Sequence, residues 1–166
     1  MLSAGSSPFY EPGFDELLGA VLATGRLRFT QSADEAVSGA SVHFVCVGTP
    51  QLAGSDAADV RYVDSAFKAV VASADCDGLI VGKSTVPVGT AQRLAAELAE
   101  ASSPHALEIA WNPEFLREGK AIEDTLRPDR LVFGVTSEHA EKTLRQVYGS
   151  LIDAGTPHLT SDLATS

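Results

Sequence analysis

Segments with apolar residues at helical spacing alternate along this chain with short, continuous apolar runs. The helical spacing predicts helices over residues 14–24, 33–37, 60–74, 90–101 and 139–148. The apolar runs predict strands over residues 27–30, 42–47, 79–81, 107–110, 131–135 and 158–160. Gly25 is a helix-stop residue after the first helix, and Ser32 is a favourable N-cap for the second.

Strands that alternate with helices through short loops are typical of a parallel sheet with helices on both faces. The run over residues 42–47 is almost entirely apolar, which favours a strand buried on both faces. The sequence therefore predicts an α/β fold, namely a partial Rossmann-like, doubly wound parallel sheet. Its 166 residues are the size of one domain.

Composition and charge narrow the range of partners. The chain is 45% hydrophobic, which is enough for a packed core, and its formal charge is -10. Such an acidic surface repels nucleic acids and anionic membranes, so we expect neither as a partner. An anionic nucleotide can still bind through local backbone amides. Because no membrane-spanning stretch or signal peptide is visible, we expect a soluble, cytoplasmic protein.

The two cysteines do not predict a chemical role. Their number and spacing indicate neither a disulfide framework nor a zinc site, and we expect no metal. Cys46 lies in an apolar run and is predicted to be a buried core thiol. Cys76 lies between Asp75 and Asp77, whose negative charge disfavours a thiolate. We therefore expect neither cysteine to act as a nucleophile.

Polar segments follow the predicted strands, at the edge where open parallel sheets bind ligands. In residues 47–50, Gly48 permits close approach to the backbone and Thr49 offers a hydroxyl, although an ordinary turn explains this segment equally well. Residues 83–90 place Lys83 and three hydroxyls around a loop that opens a helix, where anions are favoured. The alternative here is a capping loop with a solvated lysine.

The third polar segment covers residues 112–119. Pro113 suits the first turn of a helix, and in that turn Glu114 and Glu118 would share one face. Two such carboxylates can serve as a base and a hydrogen-bond acceptor, and Arg117 adds a candidate anion contact. The alternative is a solvated helix start, where glutamate is favoured in any case.

Taken together, these segments resemble, in their residues and in their order along the chain, the motifs of the UDP-glucose/GDP-mannose dehydrogenases, and especially those of the UDP-glucose 6-dehydrogenase type. The resemblance runs through almost the whole chain. The matching stretches are P-F-Y-E-P-G at 8–13, V-C-V-G-T-P at 45–50, K-S-T-V-P-V-G-T at 83–90, N-P-E-F-L-R-E-G at 112–119 and P-D-R at 128–130.

The resemblance implies NAD-dependent oxidation of UDP-glucose to UDP-glucuronate, in two hydride transfers through a cysteine thioester. In this family Thr85 would contact NAD and help position a catalytic water, and Glu114 would be the base for thioester hydrolysis. Thr49 and Glu118 would also contact NAD. The UDP-sugar partner would be bound by Glu114, Phe115, Leu116, Arg117 and Glu118.

The sequence also departs from the family pattern. It contains no G-x-G-x-x-G turn, and neither cysteine matches the catalytic one. Residues 1–166 are therefore expected to be an incomplete NAD-binding domain, truncated at both ends and inactive alone. Relatives are homo-oligomers, but their dimerisation helix is not found here. A strand order of 3-2-1-4-5-6 would make residues 27–30 strand three and leave 42–47 as an exposed edge.

Two other interpretations stay open at this point. The chain could be a non-catalytic binding or assembly fragment that pairs with a full-length partner. It could also come from a dehydrogenase that acts on GDP-mannose or a UDP-amino sugar. By the family resemblance, the P-E-F-L-R-E motif of residues 113–118 favours UDP-glucose over UDP-N-acetyl sugars.

Overall fold

A computed structural model describes all 166 residues of the chain. The helices are a short 3-10 helix Leu2–Ala4, α1 Phe14–Ala23, α2 Ala33–Val37, α3 Arg61–Ser73, α4 Thr90–Glu100, α5 Ala121–Leu126, α6 Glu138–Val147 and α7 Gly149–Asp153. The strands are β1 Val42–Val45, β2 Gly78–Gly82, β3 Leu107–Trp111, β4 Leu131–Val135 and β5 His158–Ser161. No helix is both long enough and apolar enough to cross a membrane.

Contacts divide the chain into two units. The first consists of Met1–Gln31 and Phe115–Asp129, and it holds α1 and α5. The second consists of Ser32–Glu114 and Arg130–Ser166, and it holds the whole sheet. The predicted α/β fold is thus confirmed in the second unit.

The five strands form one sheet in the order β1-β2-β3-β4-β5. Neighbours are parallel except β3 and β4, which are antiparallel, so the expectation of an entirely parallel sheet is wrong at this one join. The strand predicted over residues 27–30 is also wrong. This segment forms no ladder with any of the five strands, and an apolar run becomes a strand only where its backbone groups find a partner.

Alternation along β2 builds a core on both faces of the sheet. Ile80 packs with Phe67 of α3 and Leu94 of α4 on one face. Its neighbours Leu79 and Val81 pack on the other face with Leu144 of α6. Each such side chain, fully buried, stabilises the fold by about 1.5–3 kcal/mol relative to exposure, which explains why this short strand needs to be apolar throughout.

Strand β1 is at the edge of the sheet and pairs only with β2, as the strand-order argument predicts. The prediction that this strand is buried on both faces is wrong. His43 and Val45 are buried, but Phe44 between them is 37% exposed. An apolar run cannot reveal from sequence alone which of its two faces a neighbouring element covers.

Candidate functional site

The carboxyl ends of β1, β2 and β3 lie in register. Val45 is paired with Gly82, and Gly82 is paired with Trp111, so the segments that follow the three strands begin side by side. These segments carry Thr49, Thr85 and Glu114, and all three therefore leave the sheet at the same edge. This is the convergence that the sequence predicts for a ligand site of an open α/β sheet.

The first two loops are hydrogen-bonded to each other. The Thr49 hydroxyl donates to the Thr85 carbonyl at 2.8 Å, while the Thr85 side chain is exposed. Beside them, a Cβ added at Gly48 would meet no atom within 4 Å, which leaves open space against the backbone. The loop from β2 then enters α4 through Gly89, whose φ of 92° is in the left-handed region that favours glycine.

A partly buried polar node joins the ends of β2 and β3 to the end of helix α6. Lys83 Nζ donates to Asn112 Oδ1 at 3.0 Å and to the Tyr148 hydroxyl at 3.1 Å. The Tyr148 hydroxyl donates to the same Asn112 oxygen at 2.5 Å, and Asn112 Nδ2 donates to the Val132 carbonyl at 2.9 Å. We call these three side chains the Lys83–Asn112–Tyr148 node.

Burial shapes the ionisation of this node. Desolvation lowers the pKa of Lys83, against opposing effects of Cys46 and Glu114, and it raises the pKa of Tyr148 to about 12. The phenol is therefore neutral near neutral pH and able to donate its proton to Asn112. Sequence reasoning missed Tyr148, because its partners lie 36 and 65 residues away along the chain.

The prediction that Cys46 is a buried core thiol is wrong, because this residue follows the edge strand β1 and is exposed. Partial burial of the thiol still raises the pKa of Cys46, and Glu114 raises it further, while Lys83 lowers it. A raised pKa keeps the group as the poorly nucleophilic thiol. The expectation that Cys46 is not the nucleophile stays a prediction.

The helical turn predicted from Pro113 does not form. Residues 112–117 have no regular secondary structure, so the expectation that Glu114 and Glu118 share a helix face is wrong. Glu114 is part of the second unit, whereas Glu118 belongs to the first, together with Phe115 and Arg117. The structure thus brings Glu114 to the sheet edge, and it places Glu118 on a separate segment.

The segment that carries Glu118 is fixed by two carboxylates of the first unit. Arg117 donates to Asp124 through its backbone N–H at 2.9 Å and through its guanidinium, which holds the pKa of Asp124 at about 2. Buried Glu11 accepts hydrogen bonds from the N–H groups of Gly119 at 3.0 Å and Ala121 at 2.8 Å. Glu11 belongs to the P-F-Y-E-P-G stretch, which gives that stretch a structural role.

The site suits one part of a dinucleotide. The exposed Thr85 hydroxyl can contact a nicotinamide and its ribose, and the open space beside Gly48 leaves room for them. The 166 residues contain no G-x-G-x-x-G turn, which is the usual seat of the pyrophosphate. The residues present therefore fit the nicotinamide end of the cofactor.

Known proteins resemble this chain along most of its length. A sequence profile described as UDP-glucose/GDP-mannose dehydrogenase family, NAD binding domain, matches residues 1–152. A UDP-glucose 6-dehydrogenase of Rhizobium meliloti is 41% identical over 152 residues, which are 90% of this chain and 35% of that protein. A UDP-glucose 6-dehydrogenase of Bacillus subtilis is 39% identical over 87% of this chain and 33% of its own length.

Solved structures agree with these sequence matches. A UDP-glucose dehydrogenase from Pyrobaculum islandicum superposes with a TM-score of 0.90 at 41% identity, over 99% of this chain and 38% of the other. A GDP-mannose dehydrogenase from Pseudomonas aeruginosa, solved as a ternary complex, gives a TM-score of 0.89 at 29% identity, over 99% and 38%.

The chain spans about a third of the length of the relatives it matches. The fold, the motifs that follow the strands and the matched family profile all agree on which part of those relatives this chain corresponds to. The chain belongs to the UDP-glucose/GDP-mannose dehydrogenase family and corresponds to its NAD-binding domain.

Proposed function

We propose that this chain supplies the nicotinamide-facing edge of an NAD-dependent enzyme that oxidises UDP-glucose to UDP-glucuronate. The observation that carries the proposal is the common origin of Thr49, Thr85 and Glu114 at the in-register ends of β1, β2 and β3. When bound, NAD supplies the hydride acceptor. In this proposal Thr85 contacts the cofactor and a water, and Glu114 is the base that activates this water.

The residues after Glu114 are assigned to the sugar nucleotide. The backbone from Phe115 to Glu118 lines the UDP-sugar site, and Glu118 also approaches the nicotinamide. Because the Arg117 guanidinium is engaged by Asp124, we assign Arg117 to shaping this segment by its backbone rather than to binding phosphate by its charge. UDP-glucose is favoured over GDP-mannose because the UDP-glucose dehydrogenases compared above are 39–41% identical and the GDP-mannose dehydrogenase is 29% identical.

We further propose that the 166 residues alone do not complete the reaction. Thioester chemistry needs a thiolate nucleophile, and burial and Glu114 raise the pKa of Cys46, which disfavours that form. Cys76 donates its thiol proton to the Ala40 carbonyl at 3.4 Å, near the amino end of β1. Neither cysteine is therefore suited to hold the oxidised sugar carbon.

Nuclear magnetic resonance titration of the purified chain with NADH tests the cofactor assignment. We expect amide shifts in residues 47–50, 83–90 and 112–114, with a dissociation constant of about 1 mM, equivalent to about 4 kcal/mol. The Thr85→Val variant should weaken these shifts, and Thr125→Val, an exposed position on α5, should not. Shifts that spread without relation to the sheet edge would contradict the assignment.

An assay of UDP-glucose-dependent NADH formation tests the catalytic part. We expect no turnover by the purified 166-residue chain. Turnover that is lost in the Glu114→Gln variant would show instead that the chain is a complete catalyst, and the proposal about its cysteines would then be wrong. Turnover that Glu114→Gln leaves intact would contradict the assignment of Glu114 as the base.

A further inference from the structure

The loops that follow β1 and β2 exchange hydrogen bonds in both directions. The Thr49 hydroxyl of the first loop donates to the Thr85 carbonyl of the second at 2.8 Å. In return, the buried Ser84 hydroxyl of the second loop donates to the Val47 carbonyl of the first at 2.6 Å. Each loop thus contributes one hydroxyl and one carbonyl, so two hydrogen bonds tie the loops together.

Trp111, at the end of β3, adds a third contact to the same place. Its indole Nε1 donates to the Ser84 carbonyl at 3.1 Å, and the side chain is only 3% exposed. Its ring lies against Gly82 so closely that a Cβ at that position would clash with the ring carbons. Gly82 is therefore the residue that lets the indole reach the second loop.

These contacts use the carbonyls of the two peptide groups that flank the Thr85 Cα. The Ser84 carbonyl is held by Trp111, and the Thr85 carbonyl by Thr49. The Thr85 side chain stays exposed at the sheet edge. Because Thr49 Oγ1 donates its single proton to a carbonyl, that proton is not available to a ligand.

We infer that Thr49, Ser84 and Trp111 are positioning residues that fix the Thr85 hydroxyl for contact with the nicotinamide dinucleotide. This inference rests on the proposed function and deepens it. Thr49 then acts on the cofactor through Thr85, instead of through a hydrogen bond from its own hydroxyl. The three residues form what we call the Thr85 strap.

Two substitutions at Thr49 distinguish a positioning role in the Thr85 strap from a direct contact between Thr49 and the ligand. Thr49→Val keeps the shape and removes the donor, and Thr49→Ser keeps the donor. Without ligand, hydrogen-exchange mass spectrometry of residues 83–90 should show exchange about five times faster in Thr49→Val, since a buried hydrogen bond is worth about 1 kcal/mol. Thr49→Ser should restore the wild-type rate. Thr85→Val, which keeps every strap contact, should exchange like wild type.

Trp111→Phe is a second and independent variant. It keeps an aromatic ring against Gly82 and removes only the N–H that holds the Ser84 carbonyl, so we expect faster exchange in the same peptide. NADH titrations of the same proteins complete the test. Thr49→Val and Trp111→Phe should each weaken NADH binding about fivefold, and Thr49→Ser should bind like wild type.

The outcomes distinguish this inference from the proposed function. Weaker NADH binding by Thr49→Val with unchanged exchange would show a direct ligand contact and would overturn the strap. Faster exchange with unchanged NADH binding would overturn the positioning role. If the wild-type chain binds no NADH although Thr49→Val exchanges faster, the cofactor assignment itself fails, and the strap remains as a structural device only.

Discussion

The Lys83–Asn112–Tyr148 node gives a measurable prediction for the Tyr148→Phe variant. The change keeps the ring, which stacks on Phe133 with centroids 5.6 Å apart and meets Phe44 edge-on. It removes only the hydroxyl, which donates to Asn112 and accepts from Lys83. Any loss of stability therefore reports on the polar node and not on the packing.

The magnitude follows from which groups lose partners. Asn112 is only 1% exposed, and its oxygen would keep one donor, Lys83 Nζ at 3.0 Å. Lys83, already desolvated, would lose an acceptor for its charge. Hydrogen bonds to charged groups contribute about 1.5–3 kcal/mol, so we expect Tyr148→Phe to lower the free energy of unfolding by about that amount.

Urea denaturation followed by the fluorescence of Trp111, the single tryptophan, measures this loss. The dependence of the unfolding free energy on urea should not change, because the variant buries the same surface. Tyr62→Phe is the matched control, since Tyr62 is 57% exposed, and it should change stability by less than about 0.5 kcal/mol. A loss for Tyr148→Phe as small as that of the control would refute the reasoning.

The pH dependence provides a second check on the same node. Burial raises the pKa of Tyr148 to about 12, above its ordinary value of 10.0. The unfolded chain therefore loses this proton first, and the stabilisation present below pH 10.0 is lost as the pH rises towards about 12. The difference in stability between wild type and Tyr148→Phe should shrink across this range. A constant difference would show that the hydroxyl is not buried.

Two further predictions concern other buried polar groups. Burial lowers the pKa of His43, although Asp75 opposes this, and its Nε2 has no partner. The unfolded chain is therefore protonated first as the pH falls through the ordinary value of 6.5, so the stability of wild type should fall there and that of His43→Leu should stay flatter, as urea midpoints will show. Glu11→Ala should speed amide exchange at Gly119 and Ala121 about tenfold, which corresponds to a loss of about 1.4 kcal/mol in protection, and Glu11→Gln should be intermediate. Unchanged exchange rates in Glu11→Ala would contradict the role given to this carboxylate.

The apolar runs predicted most of the sheet because burial on both faces leaves a simple pattern. Residues 79–81 were predicted as a strand, and β2 spans Gly78–Gly82. Whether two strands pair parallel or antiparallel cannot be predicted in the same way, because the direction depends on how the connection crosses the sheet and not on the residues of the strand. The antiparallel join of β3 to β4 was therefore missed, and so was the absence of a strand at residues 27–30.

The site was predicted where a residue's place follows from the strand before it, and it was missed where tertiary contacts decide. The position of Thr49, Thr85 and Glu114 at one edge of the sheet could be predicted because each follows a recognisable strand, while their roles stay predictions. The helical turn around Pro113 was wrong because distant carboxylates compete for that backbone. The Arg117 N–H, which a helix from Pro113 would direct to the Pro113 carbonyl, donates to the Asp124 carboxylate instead.

The two halves of the N-P-E-F-L-R-E-G stretch at residues 112–119 are held by different tertiary contacts. Asn112, in the sheet unit, is held by Lys83 and Tyr148, and Glu114 follows it two residues later. Residues 115–119 belong to the other unit, where the fixed contacts are those of Arg117 with Asp124 and of Gly119 with Glu11. The proposed base and the proposed sugar-binding backbone are adjacent in sequence, and different residues hold Asn112 and residues 117–119. Under the proposed function, we expect changes at Tyr148 to alter water activation and changes at Glu11 or Asp124 to alter sugar binding, because each set of contacts constrains its own part of the stretch.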